Sequence, residues 1–288
     1  MEKIKSMQLL GNIVQQIQQR NNQLISDFRK IRKNVSIQIL LNPIDRRGVD
    51  IVFDIIRNPQ FQEECKKFEN PNDVDVIIDS FGGDADAAYH MAKLIDSHFS
   101  GNIKYVVPRF AKSAATLMVC GGNKIVMGET SELGPLDPQI RQDDGSYISA
   151  KAVQATLELI KKHLNKEDKH GLELATILAS RINPLVLGQY ESSIDIAKEY
   201  QRELLMMRML KSKKKTEVNK IVERFATGYT HHSRVISCVE AKDILGEENI
   251  EILASNSPEW NLLWEFYLNN RNIADLLGVL KNIDKLNQ

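Results

Sequence analysis

The stretch from Val74 to Ile140 constrains the fold more than any other part of the chain. Two apolar runs, Val74-Asp75-Val76-Ile77-Ile78-Asp79 and Lys104-Tyr105-Val106-Val107-Pro108, each end in a turn that leads into a helical pattern. The first turn is Ser80-Phe81-Gly82-Gly83, followed by a helix from Asp84 to His98. The second is Arg109 to Ser113, followed by a small apolar helix from Ala114 to Gly121. With a third strand near Val126, strands alternating with helices predict βαβ crossovers and a largely parallel sheet. Such a sheet brings the glycine turn and the serine turn to one place.

A serine hydroxyl is a poor nucleophile until a base takes its proton and hydrogen-bond donors stabilise the oxyanion that follows. Ser113 stands at a strand-to-helix junction, where Oγ projects and the amide of Ala114 faces the same space. The Gly82-Gly83 turn lets a second backbone segment approach, because glycine has no Cβ. The amides of Gly83 and Ala114, with Gly82 completing the turn, make a candidate oxyanion hole, and the helix beginning at Ala114 adds the positive end of its dipole. The same residues have plainer readings. A Gly-Gly turn after a strand cradles phosphates, and serines cap helices.

Charge and cysteine usage narrow the classes. Lys+Arg 38 against Asp+Glu 38 leaves no net charge, so no global field draws the chain to nucleic acid, and copies of it repel little. Cys65, Cys120 and Cys238 are widely spaced with no CxxC pair, which suggests neither a disulfide framework nor a zinc site. Residues 1–33 show no secretory pattern, and no run approaches the roughly 20 apolar residues of a membrane span. The expectation is a cytoplasmic protein that needs no metal, nucleotide or other cofactor.

The remainder reads as additions around that centre. Met1 to Lys33 has apolar residues at helical spacing and predicts an amphipathic helix, packed on the body or on a sister subunit. Its basic end, Arg29 to Lys33, leaves open a peripheral membrane contact. Val35 to Leu41 reads as a strand, Asp45 to Gly48 as a turn, and Val49 to Ile56 as a helix. Ser131 to Ile140, with Gly134, Pro135 and Pro138, reads as a rigid loop, and Ser146 to Ile148 as extended. Ser149 caps a helix from Ala150 to about Leu164. Leu172 to Phe225 is helical with a break at Asn183-Pro184. Val239 to Gly246 is a short helix, and a last one starts at Pro258. This gives an N-terminal helix over 1–34, a central domain over 35–250 and a helical segment over 251–288.

Val76 to Gly83 with Ala85 to Ala88, then Val107 to Leu117 around Ala111-Lys112-Ser113-Ala114-Ala115, resembles the Clp protease/crotonase superfamily. Within it the chain is most similar to the serine dehydrogenase proteinase (SDH-type) branch, related to signal peptide peptidase A. Ile125-Val126-Met127 running into Leu133-Gly134-Pro135-Leu136-Asp137-Pro138 carries the same likeness. The resemblance implies an α/β fold, a spiral of ββα units with helical additions at both ends. It implies a serine endopeptidase with Ser113 as nucleophile and Gly83 and Ala114 as oxyanion donors. It also implies a homo-oligomer whose sites face an enclosed space, acting on peptide or protein substrates.

One departure concerns the base. Clp proteases carry a histidine at about the position of Leu133 to Gln139, and this chain has none between His98 and His163. The signal peptide peptidase branch uses lysine, and Lys151 stands close to where relatives of that branch carry theirs. A lysine acts as a base only when neutral, so it must be desolvated to bring its pKa down from about 10.4. Ile148, Ala150, Ala152 and Val153 offer apolar flanks; Lys161 and Lys162 are the other lysines in reach. Lys112 reads as a surface charge, Asp137 as a turn-stabilising carboxylate with a catalytic role as the lesser reading, His90 and His98 as structural or exposed, and one of His231 and His232 as bonded to the core or, as the lesser reading, a catalytic orienter. An acyl-CoA enzyme on the crotonase-like fold and a non-catalytic oligomeric scaffold are the competing readings.

Overall fold

The computed structural model describes residues 2–141, 147–164, 169–180, 184–229, 231 and 233–285. The chain begins with α1 (Glu2–Arg32), β1 (Val35–Ile39), α2 (Arg46–Arg57), α3 (Pro59–Cys65), β2 (Val74–Ile78), α4 (Ala85–His98) and β3 (Ile103–Val107). It continues through β4 (Phe110–Ala111), α5 (Ala114–Val119), β5 (Lys124–Met127), β6 (Glu132–Leu133), β7 (Gln139–Arg141) and β8 (Tyr147–Ser149). The last elements are α6 (Ala150–Leu164), α7 (Lys169–Ser180), α8 (Pro184–Met207), α9 (Lys215–Ala226), α10 (Cys238–Leu245), β9 (Ile250–Ile252) and α11 (Pro258–Lys285).

Five strands form one sheet in the order β1-β2-β3-β5-β9, every neighbour parallel. Alternation along the strands sorts the core, because successive side chains point to opposite faces. Val76, Ile78, Tyr105, Val107, Ile125 and Met127 join α2, α4 and α5 in the larger core cluster. Ile77, Val106 and Val126 face the other way and meet Leu24, Ile25 and Phe28 of α1 and Trp260, Leu263 and Phe266 of α11. Covering both faces explains why β2 is buried at every position and reads as a continuous apolar run apart from Asp75.

Asp75 is fully buried and answered by charge. Arg32, at the end of α1, donates to Asp75 Oδ2 at 2.9 Å and to Glu251 Oε1 of β9 at 2.5 Å, and Asn34 Nδ2 donates to Asp75 Oδ1 at 3.3 Å.

Each main strand then sidesteps before its helix starts. Past β1, Ile44 bridges Gly83; past β2, Ser80 bridges Ala111 of β4; past β3, β4 pairs in parallel with β6, which itself follows β5. Main strand, short offset segment and helix recur as ββα units, the mixed α/β architecture of the Clp/crotonase fold. The offsets also refine the sequence reading. Arg109 to Ser113 and Ser131 to Ile140 hold β4, β6 and the start of β7, where turns and a loop are expected. Asp45 to Gly48 is not a separate turn: α2 begins at Arg46, and Asp45 caps it by accepting Gly48 N at 3.0 Å. Ser149 closes the β7–β8 hairpin before α6 begins.

Candidate active site

Ser113 has φ 50° and ψ −118°, a conformation glycine adopts in type II′ turns and other residues rarely. Holding it there costs about 1–3 kcal/mol, which the surrounding backbone bonds must sustain. Those bonds are on both sides: Ala115 N donates to Lys112 O at 2.9 Å and Leu117 N to Ser113 O at 3.1 Å. At Asp45, Asn58, Asp84 and Ser237 the N-cap side chain accepts from its helix. Ser113 occupies the cap position of α5 and makes no such bond. The capping reading of this serine therefore fails, and its hydroxyl stays available.

The glycine turn abuts this junction. A Cβ on Gly82 would lie 2.8 Å from Lys112 O, 2.9 Å from Ser113 Cβ and 3.1 Å from Ala114 N, so only glycine lets the two turns come this close. Gly82 itself is engaged: its amide donates to Ser80 Oγ at 3.1 Å and its carbonyl accepts Ile44 N at 2.8 Å. Asp84 N donates back to Ile44 O at 2.9 Å. By alternation the amide of Gly83 then points away from Ile44, and it donates to no acceptor among the described residues. The amide of Ala114 opens the first turn of α5 and is likewise unmatched within the helix. Among the described residues, two amides without an acceptor thus stand beside a hydroxyl that makes no cap bond.

These groups line a cavity of about 640 Å³. Its apolar walls include Ile44, Leu117, Leu136 and Ala197, the last carried in by α8. Asp137, expected to be a turn carboxylate, is buried in the wall and has a bonding partner. At the rim, exposed Phe81 tilts against Phe110 with ring centres 4.6 Å apart, and Arg109 lies over the Phe110 ring.

Several supporting residues had no recognisable sequence signal. Ser80, fully buried, donates to Leu41 O at 2.5 Å while accepting the Gly82 amide, and Asn42 Oδ1 accepts Phe81 N at 2.7 Å. Thr116 donates to Ala111 O at 2.6 Å and accepts Gly134 N at 3.0 Å, which ties α5 to the segment after β6. Asp79 accepts Phe110 N at 2.9 Å, and burial pushes its carboxyl above the usual range.

Lys112 is not the surface charge expected. Its Nζ lies 3.0 Å from Glu132 Oε2 and donates to Leu133 O and Arg234 O, with the side chain 14% exposed. Arg109 holds the other oxygen of Glu132 at 2.5 Å. Burial works against the Glu132 carboxylate, but Lys112 and Arg109 outweigh it and set its pKa below the ordinary value. A lowered folded pKa means stability that is present above the ordinary carboxylate range and lost as pH falls through the folded value. Glu132→Gln is expected to lower stability by about 2 kcal/mol near neutral pH. The variant and the parent should converge in acid, as urea unfolding at the two pH values will show.

The remaining candidates fall as follows. His90, His98 and His231 are exposed, and His232 lies outside the described residues. Lys161 and Lys162 are exposed, Lys161 pairing with Glu158. Lys151 is the second residue of α6; its side chain lies outside the described residues. Among the described residues no group of His, Cys, Asp and Glu is placed to hold a metal ion.

Among curated proteins, the chain is 36% identical over 110 residues to uncharacterized protein MJ0137 of Methanocaldococcus jannaschii. It is 30% identical over 82 residues to uncharacterized protein MJ1495 of the same organism. These matches cover 38% and 28% of the chain, and the chain spans only 36% and 26% of those relatives' own lengths. Among solved structures it is similar to a serine-to-alanine mutant of the 1510-N membrane-bound stomatin-specific protease, with 15% identity and a TM-score of 0.45. That match covers 78% of this chain and 81% of the other. A lysine-to-alanine mutant of the same protease with a substrate peptide gives 14% identity and a TM-score of 0.43, covering 82% and 98%. Both are described as membrane-bound, and on that finding the expectation of a purely cytoplasmic protein is withdrawn. No compartment replaces it; among the described residues no helix is long and apolar enough to cross a membrane. The family comparison covers far more of the chain, residues 13–259, and by it the chain belongs to the ClpP-like SDH-type serine proteinases.

Proposed function

We propose that the chain is a serine endopeptidase whose acyl-enzyme forms on Ser113. The observation that carries this is a serine held at positive φ, its hydroxyl unused by the helix it precedes, beside the free amides of Gly83 and Ala114. Family membership supports the same reading. Ser113 Oγ attacks the peptide carbonyl, and its proton passes to a neutral lysine, for which we propose Lys151. The Gly83 and Ala114 amides receive the oxyanion, Gly82 shaping the turn that presents the first of them. Lysine returns the proton to the leaving amine, and water then hydrolyses the ester. The Gly83 backbone groups that face away from Ile44 suit an extended peptide added as a strand, with exposed Phe81 flanking it. The apolar walls favour an apolar substrate side chain.

A serine-reactive fluorophosphonate, with the label located by peptide mass, tests this. Labelling is expected at Ser113, and it should be lost in Lys151→Ala. Label elsewhere, or none in the folded protein, would remove the peptidase reading and leave the scaffold. Retained labelling in Lys151→Ala would discard that lysine alone.

A further inference from the structure

Helices α1 and α11 share a long contact, but only part of each meets the sheet. The cluster under the sheet takes its α1 side chains from Leu24 onward and its α11 side chains no further than Phe266. Among the described side chains, none of α1 before Asn21 is buried, and none of α11 after Tyr267. The two helices run antiparallel: Arg32 at the end of α1 meets Glu251 just ahead of α11, whereas twelve residues earlier Arg20 pairs with Glu265 at 2.6 Å and Asn21 accepts from Asn269 at 3.0 Å. Beyond those pairs, α1 before Arg20 and α11 after Asn270 continue together as a two-helix arm. The same register brings Leu9 and Gly11 to about the level of Leu277 and Gly278.

The arm carries more apolar surface than its two helices cover. Leu9, Leu10, Ile13, Val14 and Ile17 form a stripe wider than the seam of a two-stranded coiled coil, the width of a bundle helix. None of them is buried, and Leu9 is 62% exposed, with Leu277 46% exposed at its level. The glycines are an independent observation. Gly inside a helix weakens it relative to Ala, and at Gly48 or Gly121 the fold's own packing uses the missing Cβ. A Cβ on Gly11 or Gly278 would meet nothing within 4 Å. Among the described residues nothing calls for a glycine at either place, as nothing does at Gly188 of α8; what sets Gly11 and Gly278 apart is that they stand at about one level of the arm, where a helix arriving from outside and packing closely would use both.

Charge selects the occupant. Residues 8–19 contain no charged side chain, and their polar positions are Gln and Asn. The rest of the arm carries both signs, Lys3, Lys5, Arg271, Lys281 and Lys285 against Glu2, Asp275 and Asp284, so it offers neither the strongly cationic polar face that anionic lipid calls for nor a patch of one sign for an oppositely charged protein. Amide side chains donate and accept alike, so this face matches a copy of itself, and a chain of zero net charge does not repel that copy. We propose that the arm is an assembly surface that takes the arm of a second copy of this chain about a two-fold axis, forming a four-helix bundle. The proposal is independent of the chemistry at Ser113.

Sedimentation velocity on the full chain tests it. The parent is expected at the mass of two chains or a multiple, and Leu9→Glu with Leu277→Glu at half that mass. Circular dichroism should be unchanged, since both positions are exposed in the protomer. Gly11→Leu with Gly278→Leu fills the open space while favouring helix, and is also expected to halve the mass. A monomeric parent at tens of micromolar would overturn the proposal, as would either variant at the parent's mass. So would a parent that pellets with phosphatidylcholine vesicles and loses that binding in Leu9→Glu, since the membrane would then be the occupant.

Discussion

Ser113→Ala is expected to lower peptide hydrolysis by at least about 10⁴-fold, because a triad- or dyad-type nucleophile has no substitute once its oxygen is gone. The fold should survive, since Ser113 Oγ holds no cap bond and the backbone bonds around it do not use the side chain. Ser113→Gly separates the chemistry from the conformation. It should be equally inactive, yet more stable than the parent by about 1 kcal/mol, because glycine adopts φ 50° and ψ −118° without the Cβ penalty. Hydrolysis of a quenched fluorescent peptide and urea unfolding of the three proteins give both readouts. A glycine variant less stable than the alanine variant would mean that the junction carries no strain. An active alanine variant would remove Ser113 from the mechanism.

Gly83→Ala is expected to cost about 4 kcal/mol, at the upper end of single substitutions. A Cβ there would lie 2.2 Å from Ile44 O and 2.6 Å from Ile44 N, and these are backbone atoms that cannot swing aside. The residue also sits at φ +150°, where side chains are rare. Relief requires the Ile44 segment to move, and with it the bonds from Ile44 N to Gly82 O and from Asp84 N to Ile44 O that aim the Gly83 amide. Whatever folded fraction remains should lose a further 10²- to 10³-fold or so in turnover, the usual effect of a missing oxyanion donor. Gly188→Ala on α8 is the control, since a Cβ there meets nothing within 4 Å and its stability should be unchanged or slightly higher. Unfolding midpoints decide the point. A Gly83→Ala protein as stable as the parent would show that the Ile44 contact yields.

Where hydrophobic period and turn residues act locally, the fold was legible in the sequence. Val74 to Asp79 and Lys104 to Pro108 read as strands of a parallel sheet, within a residue of the observed β2 and β3, because helices cover both faces and leave continuous apolar runs, and the serine and glycine turns follow from their small residues. The fifth strand was not legible. Ile250-Glu251-Ile252 is three residues long, and Glu251 is there to meet Arg32, 219 residues earlier, so neither length nor alternation marks it. The offset ladder escaped for the same reason: β4 and β6 are two residues each, and they exist only because neighbouring units stack. At the site, Ser113 and the glycines carried their own signal through spacing. Ser80, Asn42 and Thr116 did not, since a buried hydroxyl or amide earns its place through partners distant in sequence. Lys112 was misread because proximity on a turn says nothing about Glu132, Leu133 and Arg234, which surround its amine.

The charge knot of Arg32, Asp75 and Glu251 bears on how the molecule comes apart. It fastens the end of α1 to a central strand and to the sheet's last strand, which leads directly into α11. The first and last helices therefore form one cooperative unit rather than two independent trimmings. Removing either exposes Ile77, Val106 and Val126 along the middle of the sheet and loosens the remaining helix at the same time. Resistance to proteolysis should accordingly rise and fall together at the two ends of the chain, although 225 residues separate them.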